Sequence, residues 1–158
     1  MTTDASPDRK RDVSIRRAER VDLLAVVRIE DESFSQPWPY DAFDRFLGDP
    51  GFLVAEHGGE IAGYVVADVS HRFGRRLGHV KDIAVHPDRR GAGVGSTLLS
   101  RVTAVLAAQG ADSIRLEVRR SNDDAKRLYR QFGFEPLRRV SGYYDDGEDA
   151  IVMVRKLE

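Results

Sequence analysis

The sequence predicts a mixed α/β fold, an α+β mixed sheet of about seven strands flanked by about four helices. Three observations predict it. Apolar residues alternate in some segments and recur at helical spacing in others, in the order β-α-α-β-β-β-α-β-α-β-β. The turn His57-Gly58-Gly59-Glu60 separates two strand patterns as a hairpin does, which makes the first half antiparallel. The two later helical patterns each stop at a glycine, Gly110 and Gly133, the residue type that closes helices in the left-handed conformation.

Met1 to Asp12 are polar and charged, with nothing to bury. They read as a flexible N-terminal tail, and residues 13–158 as a single domain. Val13-Ser14-Ile15-Arg16 alternates like a short strand. From about Val21 to Phe34, the residues Leu23, Val26, Val27, Ile29 and Phe34 fall at mostly helical spacing. Ser35-Gln36-Pro37-Trp38-Pro39 forbids one continuous helix, and a second helix follows from about Tyr40 to Leu47 with Phe43, Phe46 and Leu47 on one side. Strands are expected at Phe52 to Glu56, Ile61 to Val69 and His79 to His86, the last stopped by Pro87. A helix from about Gly93 to Gln109 carries the stripe Val94, Leu98, Val102, Val105 and Leu106. Ile114, Leu116 and Val118 make a fifth strand. Ser121-Asn122-Asp123-Asp124 resembles a capping box opening a helix through Phe132. Strands near Phe134 to Val140 and Ala150 to Leu157 flank the polar turn Asp145-Asp146-Gly147.

Composition narrows the function classes. At 158 residues, 41% hydrophobic and 32% charged, the chain can bury one real core. Its 25 Lys and Arg against 26 Asp and Glu give a net charge of −1, which argues against a nucleic-acid partner bound by phosphate neutralisation. Cysteine is absent, which excludes disulfides, thiolate zinc sites and a covalent cysteine intermediate and suits a reducing cytosol. The longest apolar run, Leu23 to Val27, is far short of the roughly 18 residues that span a bilayer, and the N-terminus lacks a secretory apolar region. A cytoplasmic protein without a membrane partner is expected. His57, His71 and His86 sit in turn-like contexts, and no metal cluster is evident, so no metal is expected.

The densest signal is Ile83-Ala84-Val85-His86-Pro87-Asp88-Arg89-Arg90-Gly91-Ala92-Gly93-Val94-Gly95-Ser96. A strand ends, glycines follow, and a helix begins among them. The first amides of a helix lack intrahelical partners and sit at the positive end of its dipole, while glycine lets that backbone approach a ligand closely. The segment is a candidate phosphate cradle, with positive charge from Arg90 and Arg89. No lysine follows a suitably spaced glycine, so it is not a P-loop. A dinucleotide-binding turn is the nearer rival: Gly91 and Gly93 match and Glu117 lies about the right distance downstream. Ser96, however, stands at the third glycine position and Pro87 to Arg90 separates strand from glycines. A helix start that merely contains small residues is the remaining alternative.

Arg90-Gly91-Ala92-Gly93-Val94-Gly95 fits the pattern R-x-x-G-x-G and resembles the acetyl-CoA pyrophosphate loop of the GNAT N-acetyltransferase superfamily. The element order agrees with that fold, over nearly the whole chain after residue 12. Leu116-Glu117-Val118-Arg119, Ser121-Asn122, Ala125, Leu128-Tyr129 and Gly133-Phe134 are similar to the signature of RimI/Ard-type protein N-terminal acetyltransferases, as is Gly142-Tyr143-Tyr144-Asp145-Asp146-Gly147-Glu148-Asp149-Ala150. The resemblance implies a GNAT acyl-CoA N-acyltransferase fold and acetyl-CoA as cosubstrate. It assigns the coenzyme to the backbone of Ile83, Ala84 and Val85, to residues Arg90 to Ser96, and to Asn122 and Tyr129. It also implies that strand four splays from strand five, so that the pantetheine arm adds to the exposed edge.

Acetyl transfer from a thioester needs a neutral amine, a polarised carbonyl and a protonated or stabilised leaving thiolate. Glu117 points away from the apolar layer of Ile114, Leu116 and Val118. The residues alone leave it either a solvated carboxylate paired with Arg115 and Arg119 or a proton acceptor; the resemblance implies the second. Tyr129 lies beside the buried side formed by Ala125, Leu128 and Phe132. It reads either as a core-edge tyrosine with its hydroxyl in water or, by resemblance, as the proton donor to the thiolate. Asn122 is at once an N-cap candidate and the family's CoA-bonding position. His79 is either a surface residue at a strand start or, as in some Ard-like members, an aid to deprotonation.

By family analogy the substrate groove is formed by Phe34, Pro37, Trp38 and Tyr40 and by Tyr143 and Tyr144, though aromatic residues in a Pro-rich turn serve equally as core lids. The acidic run Asp145, Asp146, Glu148 and Asp149 reads as an attractor of a cationic amino terminus or as a solvated turn. The expected function is transfer of an acetyl group from acetyl-CoA to protein N-terminal α-amines, ribosomal protein or nascent chains among them, by direct attack in a ternary complex. The alternatives are a GNAT enzyme acting on a lysine or small-molecule amine, and a non-catalytic CoA-binding module.

Overall fold

The computed structural model describes residues 12–157, so the expected tail lies outside them except for Asp12. The strands are β1 Val13–Arg17, β2 Phe52–His57, β3 Glu60–Arg72, β4 Arg75–Val85, β5 Ser113–Arg119, β6 Glu135–Val140 and β7 Ala150–Lys156. The helices are α1 Leu23–Ser33, α2 Tyr40–Asp44, α3 Val94–Ala108 and α4 Asp123–Gln131. One seven-stranded mixed sheet has the order β1-β2-β3-β4-β5-β7-β6. The chain divides into two compact units: one runs to Val66 and resumes over Asp82–Val102, the other is Ala67–Lys81 with Thr103 onward.

In the first unit, β1 and β3 pair antiparallel with β2, in registers such as Ile15↔Ala55 and Val54↔Tyr64. Leu23, Val26 and Ile29 of α1 join Phe43, Phe52, Val54, Tyr64, Val66 and Ala84 in one core cluster. Phe43 is its centre: its ring lies 5.3 Å from Trp38 and 6.2 Å from Phe52, and edge-on to Tyr64 at 5.5 Å and 86°. Leu53, Ala55 and Val65, of the opposite parity, are buried as well, so β2 and β3 are apolar on both faces. Gly63 is needed here because a Cβ would meet the Ala84 carbonyl oxygen at 2.8 Å and side chains of Val94 and Leu98 at 3.1 Å.

The helix expected from Val21 begins instead with a 3-10 turn, Arg20–Asp22. Asp22, 5% exposed, accepts the Glu19 N–H at 2.8 Å and a two-pronged pair from Arg16 at 2.7 and 2.8 Å. Arg16 also reaches Glu56 at 2.7 Å, tying β1, the turn and β2 together. The second helix closes at Asp44 rather than Leu47, and its remainder continues as turns bonded Phe46 N–H to Phe43 carbonyl at 3.0 Å.

In the second unit β4 pairs parallel with β5 from Leu77↔Ser113 to Val80↔Leu116, and β7 pairs antiparallel with β5 and β6. Ile114, Leu116 and Val118 are buried with Leu106, Phe134, Val152 and Met153. Gly78 lets α3 and β5 close in, since a Cβ would stand 3.1 Å from Leu106 and 3.2 Å from Ile114.

Strands β3 and β4 are longer than the sequence suggests, meeting at the two-residue turn Phe73-Gly74. Both turn residues have positive φ, +50° and +75°, the pattern of a type I′ hairpin turn. Phe73 is an unusual choice there and is 99% exposed. The expected capping box at α4 is replaced by a single cap, the Asn122 side chain accepting the Ala125 N–H at 3.1 Å, because Ala125 at the third helical position has no side-chain acceptor to reciprocate.

Candidate active site

The glycine turn lies in the first unit. After β4, Pro87–Arg89 forms one 3-10 turn, Arg90 is extended, and α3 starts at Val94. Gly91 and Gly93 have φ of +84° and +82°, values that L side chains rarely adopt, and nothing lies within 4 Å of where a Cβ would stand on either. Open space faces these glycines, and the first α3 amides have no partner one turn back. An anionic diphosphate fits that donor set and dipole end.

Arg90 stays with the turn, its Nε donating to the Val85 carbonyl at 3.2 Å and a terminal nitrogen 3.4 Å from Ser33 Oγ. Arg89 does not supply the positive charge expected of it. Its guanidinium turns to the β2–β3 hairpin, donating to the His57 carbonyl at 2.7 Å and pairing with Glu60 at 2.5 Å. Two hairpin acceptors outcompete open solvent for that fork. Of the strand end, Ala84 is buried while Ile83 and Val85 are half-buried. Trp38 is half-buried on Phe43 and Phe46, and Phe34 packs on the same core; Pro37 is exposed and Tyr40 is 37% exposed. Trp38 and Phe34 are therefore core lids at their inner faces.

The reactive groups lie in the second unit. Parallel pairing sets His79 opposite Arg115, and Glu117, two residues along β5, shares the Arg115 face. His79 Nε2 is 2.6 Å from Glu117 Oε1, and Arg115 Nε is 2.9 Å from Glu117 Oε2. A terminal Arg115 nitrogen also approaches His79 Nδ1 at 3.4 Å. The Glu117 side chain is 12% exposed. Burial works to raise its pKa, but the His79 hydrogen bond and charge, with Arg115, outweigh burial and hold the carboxyl below its usual range. Arg119 is not its partner. It bonds Asp146 and Glu148 at 2.8 and 2.9 Å and lies 4.1 Å above the Tyr144 ring.

Tyr129 is buried, 7% exposed, with its ring edge-on to Phe134 at 6.1 Å. Tyr143, 48% exposed, meets Tyr144 edge-on at 5.0 Å. Burial first, then the Glu117 charge, raises the Tyr143 pKa; burial pushes Tyr144 to about 12. Asp146, Glu148 and Asp149 of the acidic run pair with Arg119 of β5 and Arg139 of β6. Glu148 also accepts the Ser121 N–H at 2.9 Å, which with Arg119 brings its carboxyl down to about 2, and Asp149 pairs with Arg139 at 2.6 Å.

Among the described residues no group of acidic, His or Cys side chains could hold a metal ion, and no helix is long and apolar enough to cross a membrane. The sequence reading overlooked two acids, the buried Glu30 and the half-buried Asp82, whose Oδ2 is covered. Their signal was present: each occupies a position that periodicity assigns to the core.

A mixed sheet in this strand order, with a glycine turn opening a helix after β4, has the fold of an acyl-transferring enzyme. The chain belongs to the acetyltransferase (GNAT) family, whose family model matches residues 23–134. It is 32% identical to an N-alpha-acetyltransferase of Sulfurisphaera tokodaii, across 97% of this chain and 98% of that one. It is 36% identical to the N-alpha-acetyltransferase RimI of Mycobacterium tuberculosis, across 98% of this chain and 96% of that one. Among solved structures, Ard1 from Thermoplasma volcanium matches with a TM-score of 0.84 at 29% identity, covering 92% of this chain and 98% of that one.

Proposed function

We propose that this enzyme transfers the acetyl group of acetyl-CoA to the N-terminal α-amine of proteins, with nascent chains or a ribosomal protein as the substrate class, and that the chain from Val13 onward works as one catalytic domain. The observation that carries the reading is the Glu117 carboxylate held between His79 at 2.6 Å and Arg115 at 2.9 Å.

Acetyl-CoA, when bound, supplies an acetyl group activated as a thioester. The amides of Gly91 to Ser96 and the charge of Arg90 hold its diphosphate, the backbone of Ile83, Ala84 and Val85 lines its arm, and Asn122 adds a hydrogen bond. Glu117 attracts the substrate's amino terminus and accepts the proton that leaves as the new N–C bond forms. His79, donating to Glu117, fixes the carboxylate's direction. Tyr129 gives its hydroxyl proton to the sulfur as the C–S bond breaks and regains one from solvent. Phe34, Pro37, Trp38, Tyr40, Tyr143 and Tyr144 contact the peptide.

A carboxylate held below its usual pKa range is a weak base, and that favours one amine class. An α-amine of pKa about 7.7–8.0 is already partly neutral at pH 7, whereas lysine near 10.4 is neutral about one time in 2,500. Glu117 thus receives a proton an α-amine is ready to lose. Mass spectrometry of a peptide library incubated with acetyl-CoA tests this: acetylation at peptide N-termini is expected, and acetylation confined to lysine side chains rejects it.

A further inference from the structure

Glu30 continues the α1 stripe of Leu23 and Val26 yet is a carboxylate, 2% exposed. Its Oε1 accepts the Tyr64 hydroxyl, its Oε2 accepts the Trp38 N–H at 2.9 Å, and the Asp82 side chain hydrogen-bonds it as well. Asp82 Oδ2 is buried without a protein partner. Burial, then the Glu30 neighbour, hold the Asp82 carboxyl well above the usual carboxylate range, and burial first of all holds Tyr64 far above its own. The Asp82 carboxyl beside Glu30 thus favours its neutral form, while the Tyr64 hydroxyl and the Trp38 N–H occupy the two Glu30 oxygens.

The Trp38 amide is the link. Pro37 and Pro39 have no N–H, so Trp38 is the one backbone donor of that stretch. Its ring is pinned at 5.3 Å on Phe43 and stacked at 5.8 Å on Phe46. Asp82 immediately precedes Ile83, Ala84 and Val85. We propose that Glu30, with the Asp82 carboxyl beside it, forms a positioning pair that fixes the turn Phe34 to Tyr40 through the Trp38 amide and ties it to the β4 end. The inference rests on the reading above that this turn contacts the peptide. The ionisable groups around the pair are Tyr64 from β3 and, acting on Tyr64, Asp31 from α1.

Trp38 is the sole tryptophan, so its fluorescence reports the turn directly, whatever the substrate. Glu30→Gln and Asp82→Leu are expected to shift Trp38 emission to the red, increase acrylamide quenching and raise the peptide KM about tenfold, the loss of one buried charge-assisted hydrogen bond, with the acetyl-CoA KM as in wild type. Asp82→Asn keeps a donor toward Glu30 and is expected to keep the wild-type emission at pH 7. As pH rises toward 10, wild-type emission moves toward that of Glu30→Gln while Asp82→Asn does not move. Folded Glu30→Gln with unchanged emission, or identical pH profiles for wild type and Asp82→Asn, overturns the proposal. The pH comparison decides it even if Glu30→Gln does not fold. A wild type that acetylates no peptide strikes the proposed function instead, and Trp38 emission still decides the positioning pair.

Discussion

His79 Nε2 stands 2.6 Å from Glu117 Oε1, and Arg115 closes the other side of the same carboxylate at 2.9 Å. Strand register makes this contact. His79 and Arg115 are partners in the parallel pairing of β4 and β5, and Glu117 follows on the Arg115 face. A buried carboxylate between two donors keeps its charge and its direction together, which suits proton acceptance better than either property alone.

Glu117→Gln should therefore lower kcat about 100-fold, the smaller end of what one general base contributes, and leave acetyl-CoA affinity unchanged. Steady-state kinetics with calorimetry checks both. Because Glu117 titrates below the usual carboxylate range, it stays ionised from mildly acidic pH upward. The rise of kcat/KM near pH 8 then belongs to the substrate amine and should persist in the variant. Full kcat in Glu117→Gln across pH 6–9 would remove Glu117 from the mechanism.

Gly93→Asp should raise the acetyl-CoA Kd at least about tenfold with little change in fold. Its φ of +82° opposes any L side chain, and a carboxylate there would repel an anion held at the helix dipole's positive end. Calorimetric titration reads the loss; wild-type affinity would move the diphosphate to another part of the chain.

Phe73→Asn should raise stability by about 1 kcal/mol, a shift of about 2–4 °C in Tm, without altering activity. Asn tolerates the φ of +50° that Phe73 adopts, and Phe73 buries nothing at 99% exposure. Thermal unfolding measures it, and an unchanged or lower Tm contradicts the turn strain.

Asp22→Asn should cost about 1–2 kcal/mol at pH 7, since it removes the charge facing the two terminal nitrogens of Arg16 while Glu56 still pairs with Nε. The Arg16 hydrogen bond, against an opposing burial effect, lowers the Asp22 pKa. The sign follows: its contribution is complete above the unfolded carboxylate pKa near 3.9 and is lost as pH falls through the lower folded value. Urea unfolding at pH 7 and pH 3 should show a gap between wild type and variant that narrows in acid. A gap of equal size at both pH values argues against the charged pair.

Much of this was legible in the chain alone. Glycines at 91 and 93 marked an open backbone turn, Gly110 and Gly133 closed helices, and period-two alternation on β5 placed Glu117 opposite Ile114, Leu116 and Val118. Each is a local consequence of neighbouring residues and backbone sterics. What each charge would meet was not legible. Arg89 was expected at the phosphate turn and went to Glu60, Arg119 went to Asp146 and Glu148 rather than Glu117, and Glu30 met Asp82 from a distant strand. The sequence by itself determined the elements, their order and the glycine turn, because dihedral preference and periodicity act over a few residues. Tertiary structure alone decided the His79–Glu117–Arg115 contact and the Glu30–Asp82 pair, because strand register and long-range burial choose which charges share a site.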